Sequence, residues 1–176
     1  MRKVMTMTRI DEDLLLNVEK PARYTGNEIN VVKKAVQEGM TRFALCFPDI
    51  YEIGMSNVGM SILYGLMNDR EDTYCERVYS PAKDMEHLMR FKKLPLFALE
   101  TKTPVKDFDF LGFTLQYEMS YTNVLGVMDL AGIPYRSSDR DESYPLVIAG
   151  GPCVFNPEPL ADFIDLFYIG EAECAL

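Results

Sequence analysis

Apolar residues form two alternating patterns from Thr41 onward: short unbroken runs, and positions spaced three or four residues apart. Runs of the first kind end at proline, glycine or aspartate and are typical of buried strands, whereas the second spacing is typical of amphipathic helices. The runs predict strands over residues 42–47, 75–79, 96–99, 110–115, 146–149 and 166–169. The spacing predicts helices over residues 57–68, 84–93, 120–131 and 158–163.

Strands that alternate with helices in this way predict βαβ units and a mostly parallel sheet. Right-handed crossovers then place helices on both faces of the sheet. We therefore expect an α/β, doubly wound fold with a sheet of about five strands in the flavodoxin-like order 2-1-3-4-5. The run at 96–99 is expected to form a short extra strand.

The first 40 residues have a different pattern. Acidic residues 11–13 precede three leucines and predict a helix that ends at Pro21, and Asn27 is placed to cap a second helix over 28–38 that Gly39 ends. We expect residues 1–40 to form a helical arm, 41–170 to form the doubly wound domain, and 171–176 to begin a helix that leads into a further domain.

The formal net charge is −9, which argues against nucleic acid or an anionic membrane surface as a partner. The basic N-terminal residues lack the apolar run of a secretory signal, and no stretch is apolar enough to span a bilayer. A hydrophobic fraction of 48% is sufficient to fill a core. These features predict a cytoplasmic globular protein.

The four cysteines are far apart in sequence, with no CxxC or CxxxC pair among them. In a chain of this size they predict buried thiols in a reducing compartment. His87 is the single histidine, so a multi-histidine metal site within this chain is excluded, and a surface position on a helix is expected for it. The sequence predicts neither a metal site nor a catalytic residue.

Open parallel sheets bind ligands beyond the carboxyl ends of their strands. Four predicted loops leave strands there, at residues 49–59, 116–120, 150–153 and 170–173. Glycine after a strand allows a close backbone approach to a ligand. The candidate cofactor-binding residues in these loops are Asp49, Tyr51, Glu52, Gly54, Ser56, Tyr117, Gly150, Gly151 and Glu171.

Several of these residues have a structural role as an alternative to ligand binding. Neither GxGxxG nor a P-loop motif is present, which argues against a dinucleotide or nucleoside triphosphate site. Tyr51 and Tyr117 could stack on a flat cofactor or fill the core. Glu52 could form a carboxylate pair with Glu118, or it could be a surface acid that pairs with Arg23.

Five stretches together resemble the N-terminal region of a family of large radical S-adenosylmethionine proteins with a cobalamin-binding-like domain. The stretches are VEKPARYTGNE, FPDIYEIGMSNVGMSILYGLMN, CERVYSPAKDME, FDFLGFTLQYEMSYTNVLGVMDLAGIP and IAGGPCVFNPEPLADFIDLFYIGEAE. The resemblance covers about residues 14–176. The last stretch is similar to the segment that joins the cobalamin-type domain to the radical barrel in many such enzymes.

The resemblance implies a four-iron four-sulfur cluster that cleaves S-adenosylmethionine, held by a CxxxCxxC motif. No cysteine here fits that spacing, so the motif is expected beyond Leu176, in a radical barrel that would be this domain's partner. Histidine-ligated cobalamin domains carry DxHxxG after the first strand, and Tyr51 stands at the histidine position. A histidine-bound cobalt is thus excluded. A bound cobalamin would have its nucleotide tail between residues 49–59 and Gly150–Gly151.

Three hypotheses follow for the function. The first is a cobalamin-binding or cobalamin-like domain that is accessory to a radical enzyme. The second is a degenerate domain of the same fold that binds no cofactor and packs against the catalytic barrel. The third is a flavodoxin-like protein that binds FMN, for which only Ser56 and Asn57 offer phosphate-binding side chains in the first loop.

Overall fold

The computed structural model describes residues 12–174, which form one parallel sheet with helices on both faces. The strands are β1 (Thr41–Phe47), β2 (Thr73–Tyr79), β3 (Phe110–Thr114), β4 (Leu146–Gly150) and β5 (Leu166–Phe167). The α-helices are α1 (Glu12–Leu16), α2 (Tyr51–Met55), α3 (Val58–Asp69), α4 (Lys83–Lys92) and α5 (Tyr121–Ala131). None of the helices in this range is both long and apolar enough to cross a membrane.

The strand order is β2-β1-β3-β4-β5, and every adjacent pair is parallel. In the centre of the sheet Cys46 is paired with Val78 on one side and with Phe113 on the other. This order confirms the predicted doubly wound fold. The chain changes direction between β1 and β3, so this is the topological switch point of the sheet.

Alternate side chains of each strand pack on opposite faces of the sheet. We call the two faces back and front. On the back face Cys46, Leu111 and Val147 pack against α4 and α5 in one apolar cluster. On the front face Leu45 and Phe47 pack against α3 in a second cluster. Within residues 12–174, α3 is the long helix of the front cluster, and the front of β3, β4 and β5 carries no helix.

The N-terminal arm contains less helix than the sequence predicts. Its described part has α1 and a 3-10 turn at Pro21–Tyr24, and the helix predicted over 28–38 is wrong. Residues 31–37 are instead irregular, and they are held in place because the Val32 amide donates to the Tyr64 hydroxyl at 2.8 Å and Lys34 donates to the Thr73 carbonyl at 2.7 Å. Residue 11, the expected start of the first helix, lies outside the described residues.

The predicted strand at 96–99 is also wrong, since these residues form a loop with a single bridge between Phe97 and Pro104. The loop covers the outer edge of β2. The Leu99 amide donates to the Arg77 carbonyl at 2.8 Å, and the Arg77 amide donates to the Glu100 carboxylate at 2.8 Å. The segment that the sequence predicts as an extra strand is therefore part of a loop that forms hydrogen bonds with the edge strand β2.

Two other segments bind further outward positions of β2. Asn68 donates to the Cys75 carbonyl at 3.0 Å and accepts from the Cys75 amide at 3.1 Å, while Lys34 binds the Thr73 carbonyl. The opposite edge of the sheet is β5, which has 2 residues. The β2 edge of the sheet is thus covered by other segments, and the β5 edge is short.

Two predicted helices near the C-terminus are reduced to 3-10 turns. The turn Glu158–Leu160 replaces the helix expected over 158–163. Ala172–Cys174 forms the last described turn, and residues 175–176 of the expected helix start lie outside the described range.

Candidate functional site

A groove with a volume of about 590 Å³ lies on the front face, beside α3 and over β3, β4 and β5. Its walls come from one side of α3, the exposed strands, the turn after β4 and the chain after β5. We define this front groove by Gly59, Leu63, Phe43, Gly112, Ile148, Leu166, Gly150, Gly151, Phe155, Tyr168, Glu171 and Glu173 among its lining residues. The groove exists because no described helix packs against this part of the sheet.

Three glycines shape the groove in different ways. A Cβ on Gly112 would lie 2.6 Å from the Phe43 ring, so the ring packs directly on the strand. Gly151 has φ +99°, and a Cβ there would lie 2.7 Å from the Leu115 carbonyl oxygen. Glycine is therefore required at 151. At Gly150 a Cβ would meet only the Tyr168 carbonyl oxygen, at 3.9 Å, so a side chain there can extend into the groove.

The groove is apolar in its floor and acidic at its rim. Glu171 and Glu173 are its ionisable carboxylates, and both are exposed. Among the lining residues that the structure describes there is no lysine, arginine or histidine. A phosphate group placed here would have two negative neighbours and no positive side chain in this part of the chain.

The crevice between β1 and β3 is closed by a side-chain hydrogen bond. The Tyr117 hydroxyl, in the loop after β3, donates to the Asp49 carboxylate, in the loop after β1. This bond, together with burial, raises the pKa of Tyr117. Asn123 adds a second link by donating to the Pro48 carbonyl at 2.9 Å. Asp49 and Tyr117 are thus brought together, and they join the two strand ends at the switch point.

Tyr51 is engaged with the N-terminal arm. Its hydroxyl donates to Glu28 at 2.7 Å, and its ring packs edge-on against Tyr79 with centroids 5.5 Å apart. Burial, followed by the bond to Glu28, raises the pKa of Tyr51 to about 12. Glu28 also accepts from Arg77 at 2.8 Å. Tyr51 is consequently committed to an internal network and is absent from the groove lining.

Glu52 forms an ion pair with Arg23 at 2.8 Å, which is one of its two predicted roles, and Lys20 joins at 3.2 Å. The hydrogen bond from Arg23 lowers the pKa of Glu52 to about 2. Gly54 is buried, and a Cβ there would lie 2.3 Å from the Tyr79 ring. These two candidates therefore hold the arm and the helix α2 in place.

Of the nine candidate residues, Gly150, Gly151 and Glu171 line the groove. Ser56 lies outside it, exposed at the end of α2, and its hydroxyl donates to the Ile53 carbonyl at 2.8 Å. The remaining candidates lie around the first βα loop and the β1–β3 crevice. Ligand binding by any of them stays a prediction.

Sequence reasoning missed the buried charges of the first two strands. Arg42 pairs with Glu76, and Arg77 pairs with Glu100 at 2.6 Å, with both glutamate side chains fully shielded from solvent. The signal in the sequence was the charged pair inside the apolar run CERVY. Burial raises the pKa of Glu100, although Arg77 opposes that shift.

Three cysteines, Cys46, Cys75 and Cys153, are free and buried as predicted. Burial raises the pKa of the Cys46 thiol far above its ordinary value, so this thiol stays protonated at neutral pH. Within the described residues, no group of three or more His, Cys, Asp or Glu side chains could hold a metal ion.

Comparison with known proteins gives one family and one relative. The family model described as "Radical SAM proteins, N-terminal" matches residues 59–176. "Uncharacterized protein MJ0966" of Methanocaldococcus jannaschii is 33% identical over 90 residues, which cover 49% of this chain and 19% of that protein. No solved structure matches this chain.

Proposed function

Because the chain belongs to the family of N-terminal regions of radical SAM proteins, we propose that it is an accessory domain of a radical SAM iron–sulfur enzyme with a cobalamin-binding-like fold. Radical SAM proteins use S-adenosylmethionine and an iron–sulfur cluster to generate a radical. We assign that chemistry to the part of the full-length protein outside this domain, and we place the whole enzyme in the cytoplasm. The matched relative is much longer than the matched region, which supports this division of labour.

The front groove is the observation that carries the proposal. Its volume of about 590 Å³ lies within the range of roughly 300–1,000 Å³ that is usual for ligand sites. It also exposes apolar side chains such as Leu166 and Phe155, which soluble domains generally cover with a partner. We propose that the groove is the surface through which this domain joins the remainder of the enzyme.

A cobalamin fits this chain poorly. The position that would carry an axial histidine is Tyr51, whose hydroxyl is bound to Glu28. A nucleotide tail between Gly59 and Gly150 would lie in the groove, which is large enough, but its phosphodiester would face Glu171 and Glu173 without a positive side chain among the described lining residues. We therefore favour the second of the three hypotheses, a domain that packs against the catalytic part and holds no cobalamin by itself.

An FMN site is disfavoured by the first βα loop. The amide of Met60, at the start of α3, already donates to the Asn57 side chain at 2.8 Å, and the Ser56 hydroxyl donates to a carbonyl. The Met60 amide and the Ser56 hydroxyl are the donors that would otherwise form hydrogen bonds with a bound phosphate. Two of the loop's candidate phosphate-binding groups are thus already engaged within the loop.

The test for the cofactor is a titration of hydroxocobalamin into this 176-residue chain, followed by its visible spectrum and by co-elution. We expect neither a spectral change nor co-elution at millimolar cofactor. A saturable change that Gly150→Leu abolishes and Gly126→Ala preserves would overturn this part of the proposal. Gly126 is a suitable control because a Cβ there meets nothing within 4 Å.

The test for the accessory role uses the full-length protein with its cluster reconstituted. Reductive cleavage of S-adenosylmethionine is followed as formation of 5′-deoxyadenosine, in the parent and in the Gly150→Leu and Gly126→Ala variants. We expect Gly150→Leu to lower the rate about ten-fold or more at unchanged iron content, because its side chain obstructs the groove. Equal rates in all three proteins would show that the front groove is not needed for S-adenosylmethionine cleavage.

A further inference from the structure

The front faces of β4 and β5 expose an apolar surface. Leu166 is 47% exposed, and Phe155, in the turn after β4, is 77% exposed. Ile148, the register partner of Leu166, also lines the groove and is part-buried. A connected apolar surface next to a groove is typical of an interaction site rather than of a solvated face.

The path of the chain indicates what covers this surface. The connection from β3 to β4 is α5, and the connection from β4 to β5 contributes Val154 and Leu160 to the back cluster. Both connections move away from β1 along the back face. Right-handed crossovers then put a segment that returns from β5 toward β1 on the front face. The last described turn, Ala172–Cys174, already contacts α3 there and lines the groove.

The charge of the rim indicates the chemistry of the occupant. Glu171 and Glu173 stand at the groove where the chain enters it. Two carboxylates favour a neighbour that carries lysine or arginine, and they disfavour an acidic one. An apolar helix face flanked by basic residues is complementary to both the floor and the rim.

We propose that the segment directly following Leu176 forms a helix that packs into the front groove. Its apolar side covers Ile148 and Leu166, and its basic residues lie beside Glu171 and Glu173. The inference rests on the proposed function, because it names the part of the protein through which this domain joins the rest. The front groove is then the site at which a helix of the same chain docks.

The experiment compares maleimide labelling of single added cysteines, Ile148→Cys and Leu166→Cys, in three proteins. These are the 176-residue chain, the same chain extended by about 20 natural residues, or roughly 30 Å of helix, and the full-length protein. Phe91→Cys, on α4 and 85% exposed, is the matched control. Each rate is corrected for the parent without the added cysteine.

We expect the extension alone to slow labelling at 148 and 166 about ten-fold or more, with less than about a two-fold change at 91. In the extended chain, Glu171→Lys with Glu173→Lys should reduce that protection about three-fold, whereas Glu142→Lys, on an exposed loop, should not. If the charge reversal leaves the protection unchanged, the claim that basic residues of the helix lie beside Glu171 and Glu173 is wrong.

Three outcomes would contradict the proposal that a helix packs into the front groove. Protection that requires the full-length protein would identify a later domain as the occupant, and no protection in any protein would leave the groove open. Protection in the 176-residue chain that is lost on dilution would identify a second copy. Because labelling needs no catalysis, the result is independent of whether the groove variants alter S-adenosylmethionine cleavage.

Discussion

Two arginine–glutamate pairs link neighbouring segments of the protein inside its packed interior. Glu76 accepts from Arg42 and also from the amide and hydroxyl of Thr101, at 2.9 and 2.6 Å. The Arg42 guanidinium lies over the Phe108 ring at 4.7 Å. Each charge is therefore desolvated but surrounded by partners, which is the condition under which removal of one partner is most damaging.

Glu76→Gln should lower the free energy of unfolding by about 3 kcal/mol, because Arg42 keeps its charge without its carboxylate. Urea denaturation of both proteins measures the difference. The double variant Arg42→Met with Glu76→Leu is the control and should recover much of the loss, since neither charge remains buried. A loss of less than about 1 kcal/mol in the single variant would contradict this role for Glu76.

Lys102 provides a pH-dependent contribution to stability. Its ammonium donates to the carbonyls of Thr25 and Leu99 at 3.0 and 2.6 Å, while burial lowers its pKa from 10.5 to about 8 despite nearby Glu100. Between those two pH values the unfolded chain binds more protons at this residue than the folded chain does. Stability conferred by Lys102 therefore rises with pH across this window.

The stability of the parent relative to Lys102→Met should increase by about 1–3 kcal/mol between pH 8 and pH 10.5. Comparing the two proteins at each pH cancels the titration of the tyrosines. Parallel stability curves for parent and variant would show that the residue is not desolvated as described.

At the scale of the elements, Asn68 on α3 completes the edge of β2 through Cys75. Asn68→Ala leaves the buried amide and carbonyl of Cys75 unpaired and should cost about 2 kcal/mol. Asn68→Asp keeps the acceptor and should lose less. The hydrogen-exchange rate of the Cys75 amide reports the same change locally.

The control for this variant is Asn30→Ala, at an exposed turn of the arm. It should leave both the free energy of unfolding and the Cys75 exchange rate unchanged. Equal exchange rates for Cys75 in the parent and in Asn68→Ala would mean that Asn68 does not protect this edge.

The strands were predictable because each is an apolar run that ends at a turn residue, as at β1 and β4. The arm was not, because Val32 and Lys34 bind Tyr64 and Thr73, which are distant in sequence. Local capping signals at Asn27 and Gly39 were outweighed by these tertiary hydrogen bonds. The same reason explains why residues 96–99 cover an edge and form no strand.

The candidate site was predictable only in part. Glycine after β4 indicated Gly150 and Gly151, and opposite charges indicated the pair of Arg23 with Glu52. The groove itself was not foreseen, because it depends on which crossovers cover the front face. That is a property of the whole topology, which no single motif contains.

For the whole molecule, the arm connects both apolar layers. Leu14 packs in the back cluster, whereas Val32 packs against the front cluster. Between them Glu28 binds Arg77 and Tyr51, so a single carboxylate fastens the middle of the arm. Loss of this carboxylate should loosen the arm without unfolding the sheet.

Glu28→Gln should increase tryptic cleavage at Arg23, Lys33 or Lys34 several-fold at low protease, because local opening becomes easier. Mass spectrometry of the early products identifies the cleaved bonds. Glu71→Gln, at an exposed turn before β2, is the matched control and should leave the rate unchanged. Cleavage that begins within β1–β5 would instead indicate global unfolding.

The covered outer edge of β2 bears on how the protein emerges from the ribosome. Lys34 and Asn68, which bind Thr73 and Cys75, precede β2 in the sequence, whereas Leu99 and Glu100, which bind Arg77, follow it. Two of these three positions can therefore be capped as soon as β2 has been synthesised. Since an unpaired strand edge invites pairing with a neighbouring nascent chain, this order of synthesis protects the growing sheet while it is still incomplete.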